Sequence, residues 1–214
     1  MTERLFPLVF AALLLAGPVA RAGTLEIDIA DSRGGPAADA VVALIPLGNT
    51  GAAPSHLPTE AIIDQRKETF IPLVTVVRQG GHVIFTNHDT TMHQVYSFSP
   101  IRQFEFEIDQ GHRSEPVVFD KSGVASIGCN IHDHMITYVY VASTPWAVLT
   151  DAKGHAEIAD VPNGKYRAEL WHSQLLPGRP APSQVVDVNG TTKFALAVPL
   201  LAAASMKHMH MGTY

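Results

Sequence analysis

At 214 residues the chain has room for one large domain or two small ones. Apolar residues make up 46% and charged residues 16%, which excludes a disordered chain, and the net charge of −5 gives no broad attraction to nucleic acid or anionic lipid. The 16 glycines and 15 prolines leave little room for long helices and predict an all-β fold of short strands joined by turns.

Residues 1–22 read as a cleaved signal peptide. Arg4 supplies the positive end, Leu5 to Gly17 the apolar stretch, and Ala20-Arg21-Ala22 the small-x-small pattern of a peptidase site. That stretch falls short of the ~20 residues of a spanning helix, so an exported protein with no membrane span is expected. Residues 23–57 follow as N-terminal strands. Leu25, Ile27 and Ile29 alternate with Glu26 and Asp28, and a turn at Asp31-Ser32-Arg33-Gly34-Gly35-Pro36 leads into a strand from Ala40 to Ile45. Further on, Val83 to Asn87 reads as a strand running into His88-Asp89-Thr90-Thr91-Met92, with His93 on the lip of the next strand. Phe104, Phe106 and Ile108 alternate with Glu105 and Glu107, the period of a strand wet on one side.

Cys129 is the only cysteine, so no intramolecular disulfide can form, and its neighbours must decide its role. They read Gly128-Cys129-Asn130-Ile131-His132-Asp133-His134-Met135, which places thiolate, imidazole and thioether groups within seven residues. Two histidines and one cysteine with a weak axial methionine suit a trigonal copper site. Zinc would use the same Cys and His atoms, but structural zinc prefers four firm ligands and a thioether is a poor one. A tight loop between strands aims Cys129, His132 and Met135 at one point, while the second imidazole comes from a distant strand. His93 is better placed for that than His88, and His132 fits the spacing better than His134. The plainer reading makes Cys129 and Met135 core residues that fill space.

The motif Cys129-x-x-His132-x-x-Met135, followed by Ile136-Thr137-Tyr138-Val139-Tyr140-Val141, resembles the ligand loop of the small blue-copper cupredoxins, with the spacing of amicyanin. Upstream, Phe70-Ile71-Pro72 and Val77 to Asn87 resemble the strand-turn-strand that leads to the first ligand of that family. His93-Gln94-Val95-Tyr96-Ser97-Phe98-Ser99 and Gly128-Cys129-Asn130-Ile131-His132 resemble a narrower periplasmic group labelled methylamine-utilisation proteins. The resemblance implies a Greek-key β-sandwich over residues 58–143 and one type 1 copper centre held by His93, Cys129, His132 and Met135. It also implies outer-sphere electron transfer in the periplasm, through a partly exposed His132 ringed by apolar residues such as Ile131 and Ile136. The partner implied is a periplasmic dehydrogenase or cytochrome docked briefly. Gln94 departs from the family, which carries Asn there.

Counting removes richer chemistry. One cysteine cannot build a binuclear copper centre, and Gly128 and Asn130 beside Cys129 exclude the His-Cys-His of multicopper oxidases. No Gly-x-Ser-x-Gly, P-loop or Gly-x-Gly-x-x-Gly motif occurs, so the chain reads as an electron carrier and not an enzyme. The alternative is a copper carrier or buffer without redox cycling.

Residues 144–199 restart the strand pattern, with turns at Thr150-Asp151-Ala152-Lys153-Gly154 and Val161-Pro162-Asn163-Gly164. Asn189-Gly190, between Val185-Val186-Asp187-Val188 and Thr191 to Val198, predicts a hairpin. This stretch resembles the later strands of a transthyretin-like, carboxypeptidase-regulatory-like β-sandwich, and residues 24–47 resemble that domain's opening strands. Two arrangements stay open: a copper domain inserted into this second, smaller sandwich, or early strands belonging to the copper domain with a complete domain after it. Residues 200–214 form a tail in which Met206-Lys207-His208-Met209-His210-Met211 alternates thioethers and imidazoles, readable as a copper-capture arm or a frayed end.

Overall fold

A computed structural model of the chain describes residues 22–49, 55–176, 178 and 180–201. The predicted signal peptide up to Arg21 and the Met/His run of the tail lie outside these residues. The described residues form strands throughout. The chain opens with β1 (Ala22–Asp31) and β2 (Val41–Pro46). There follow β3 (Glu60–Gln65), β4 (Phe70–Ile71), β5 (Val74–Arg78), β6 (Gly81–Asn87), β7 (His93–Ser99), β8 (Arg102–Ile108), β9 (Val117–Phe119), β10 (Gly123–Cys129) and β11 (Ile136–Ala142). It closes with β12 (Ala147–Leu149), β13 (His155–Pro162), β14 (Gly164–Trp171), β15 (Ser183–Val188) and β16 (Thr191–Val198). Among the described residues no helix is long and apolar enough to cross a membrane.

The strands pair into four sheets that make two sandwiches. The middle of the chain supplies one, with strand orders β5-β11-β10-β7-β8 and β4-β3-β6-β9. Its two inner faces meet in a core of Ile63, Val83, Phe85, Val95, Ile127 and Val139, closed at one end by Cys129 and Met135. Alternation along the strands decides which groups reach that end. On β7, His93, Val95 and Ser97 point inward while Gln94 and Phe98 point out, and on β10, Ala125, Ile127 and Cys129 point inward.

The two ends of the chain supply the other sandwich, with orders β13-β1-β16 and β12-β2-β14-β15. β1 runs antiparallel to β13 and parallel to β16, and β2 is antiparallel to both β12 and β14. Residues 60–142 therefore stand between two neighbouring strands of this second sandwich. Its core joins Leu25, Ile27, Leu44, Tyr166, Leu170 and Phe194, with the Trp146 and Tyr166 rings edge to face at 5.5 Å.

The hairpin predicted at Asn189-Gly190 does not form. β15 pairs with β14, while β16 pairs with β1 in the facing sheet, so the turn carries the chain across the sandwich. Val186 and Val188 on one side and Phe194 and Val198 on the other then fill the same core from opposite sheets, which a flat hairpin would prevent. The Gly190 carbonyl accepts a hydrogen bond from the Thr24 amide, fixing the turn against β1.

The sandwiches meet along an apolar seam. Val74, Val76, Tyr138 and Tyr140 on the outer face of the larger sheet pack against Val41, Leu149 and Trp171. The Trp171 ring lies 5.4 Å from Tyr138 and 6.1 Å from Tyr140. Burial raises the pKa of both phenols above the ordinary value.

Candidate metal centre

His93 opens β7 and is 0% exposed; Cys129 ends β10 and is 3% exposed. Cys129 pairs with Val95, so His93 sits diagonally across from it on the same inner face. Its Nδ1 lies 3.6 Å from Cys129 Sγ. His132 arrives from the loop between β10 and β11, with its ring centroid 5.1 Å from that of His93. Donor atoms of these three residues all fall within 4.8 Å of one another, the one such cluster among the described residues. Met135 is buried in the same core cluster as Cys129, beyond a turn closed by its own amide donating to the His132 carbonyl at 3.0 Å.

Gln94 anchors the loop. Gln94 accepts from the Asn130 side-chain amide at 2.9 Å and donates to Glu105 at 2.8 Å, while the Gln94 carbonyl accepts from the Asn130 backbone amide. Its side chain thus ties the start of the loop to β7 and β8.

A hydrogen bond orients one of the two imidazoles. His93 Nε2 donates to Asp89 Oδ2 at 2.9 Å, which leaves the Nδ1 lone pair facing the sulfur. Asp89 also accepts from the Glu68 amide at 2.9 Å and from the Lys67 amide. Burial pushes the Asp89 carboxyl up, but the hydrogen bonds from Glu68, His93 and Lys67 outweigh it and hold its pKa below the usual carboxylate range. His132 Nδ1 is buried with no hydrogen-bond partner. Leaving such a nitrogen unsatisfied costs roughly 1–3 kcal/mol, a penalty that an ion bound at its lone pair would remove. Two imidazoles, a thiol and a nearby thioether form a donor set that fits copper.

The rival histidines stand outside this cluster. His88 is half-exposed and pairs with Asp64 at 2.5 Å. His134 is 64% exposed, its Nε2 lying 3.8 Å from Glu68 Oε2, and the other Glu68 oxygen lies 3.6 Å from His132 Nε2. Ile131 is exposed beside the site, but Ile136 turns into the seam between the sandwiches. Sequence reading passed over Asp89 and Glu68. An acid four residues before a candidate ligand is a weak signal for the first, and nothing in the sequence marks the second, which lies in another hairpin.

No protein-family model matches the chain, and no curated protein does. Among solved structures, 46% of the chain is similar to 25% of a copper-containing nitrite reductase from Thermus scotoductus SA-01, at 22% identity and a TM-score of 0.37. The chain thus spans about a quarter of that reductase. It is also similar to amicyanin from Paracoccus versutus at 16% identity, over 46% of this chain and 90% of that one, with a TM-score of 0.34.

Proposed function

We propose that the protein is a periplasmic copper-binding electron carrier whose single type 1 centre is held by His93, Cys129 and His132, with Met135 as the weak axial ligand. The observation that carries this reading is the convergence of two imidazoles and the lone thiol within 4.8 Å at one buried end of the first sandwich. Copper held there would supply one-electron exchange between its Cu(I) and Cu(II) states.

The chain supplies rigidity and access. Cys129 and His93 are fixed by paired strands, and Asp89 fixes the ring orientation of His93, so the donors have little freedom to rearrange when the charge changes. His132 is the ligand nearest solvent, with 19% of its side chain exposed, and it marks where an electron would leave. A dehydrogenase or cytochrome would dock there transiently, through the small interface usual for redox encounters. The second sandwich would serve as a docking module.

A copper carrier would use the same ligands, and redox behaviour separates the two. The Cu(II)-loaded protein should show the intense visible thiolate-to-copper absorption of the cupredoxin family and bleach reversibly with a one-electron reductant. Cys129→Ser should abolish the colour; colour retained in that variant would overturn the ligand assignment. Absorption without reversible bleaching would favour the carrier.

A further inference from the structure

We infer that Glu68 and His134, together with the outward Nε2 of His132, form a capture site where a copper ion is first held on its way to the buried donors; this rests on the copper-centre reading above. Cys129 and His93 are sealed from solvent, so an incoming ion must pass His132, whose Nδ1 is buried and whose Nε2 faces out. Glu68 stands over that gate. One carboxylate oxygen lies 3.6 Å from His132 Nε2 and the other 3.8 Å from His134 Nε2. Imidazole and carboxylate ligands hold a divalent transition metal at about 2.0–2.2 Å, so one ion can span either gap.

The backbone that carries this carboxylate is pinned. Lys67 and Glu68 both adopt φ of 53°, and both amides donate to Asp89, the residue that also holds His93. The same acid thus orients an inner donor and presents the outer one. Passage inward is ligand exchange: copper keeps its oxidation state, the bonds to Glu68, His134 and His132 Nε2 break, bonds to the inner donors including His132 Nδ1 form, and the Cys129 thiol releases its proton to water. A station on the route lowers the barrier in both directions, so it alters rates of entry and removal together and leaves affinity unchanged.

The test mixes metal-free protein with Cu(II) in a stopped-flow instrument and follows the visible absorption, then follows its loss to a chelator. Glu68→Gln and His134→Ala should each slow both processes by about tenfold, the lower end of what local charge does to association rates, and reach the parent's end-point absorption. Asp133→Asn, a neighbouring acid with no part in the gate, should change neither. Rates within twofold of the parent, equal slowing by Asp133→Asn, or a loss of affinity without slower removal would overturn the capture site. Failure of the parent protein to develop colour at all would instead overturn the copper-centre reading and the capture site with it.

Discussion

Asp89 stands where a loop, a hairpin and a strand meet, accepting hydrogen bonds from the His93 ring and from the Lys67 and Glu68 amides. Replacing it with asparagine keeps the shape but removes the carboxylate that accepts from His93 Nε2 and holds the ring with Nδ1 toward Cys129. Partners of this kind change metal affinity by about 10–100-fold, so Asp89→Asn should weaken Cu(II) binding by that factor in a chelator competition. Unchanged affinity would show that packing alone orients the ring. The candidate donors Cys129, His132 and Met135 were legible because they lie in one short loop and their spacing carries the chemistry. Asp89 and Glu68 were not, because their roles arise from left-handed backbone at Lys67 and Glu68, and no side-chain pattern announces that conformation.

Turns decide how the elements of the second sandwich meet. Gly154, at φ +76°, brings its carbonyl to the Ile29 amide at 2.8 Å, and a Cβ there would lie 2.2 Å from the Ile29 oxygen. Gly154→Ala forces left-handed strain and a backbone clash, so it should lower stability by roughly 1–3 kcal/mol, measured as a shift in the urea midpoint. In the turn after β1, hydrogen bonds from Arg33 hold the Asp31 carboxyl at about 2 against an ordinary 3.8. The unfolded chain therefore takes up this proton first as pH falls. The contribution is present above pH 3.8 and lost as the pH drops through about 2, and Asp31→Asn should flatten that part of the profile of thermal midpoint against pH. The alternation of Leu25, Ile27 and Ile29 made the first of these strands readable. Asn189-Gly190 misled because a tight turn specifies a reversal of the chain and says nothing about which sheet receives the next strand.

At the scale of the molecule, the seam around Trp171 couples two separate cores. Of the two tryptophans, Trp146 lies in the second core, so without Trp171 its fluorescence reports that sandwich alone. Trp171→Phe should keep the loss of Trp146 fluorescence and of the copper absorption coincident in denaturant, whereas Trp171→Ala should separate them. Coincident transitions in the alanine variant would mean the seam is not what joins the cores. The sequence left open whether the flanking segments share one sandwich, since a period of two reveals a buried face and not the strand beside it.

The pairing of β2 with β12 carries a consequence for how such a protein can arise. These strands are antiparallel neighbours, so their facing ends need only a reverse turn to connect them, and an entire sandwich occupies that position instead. A coding segment for residues 60–142 could be spliced into an ancestral hairpin tip, or removed from it, without rerouting the host's own strands. Metal chemistry would then be acquired by graft, with the recipient's fold and its gradual sequence drift left to evolve on their own terms.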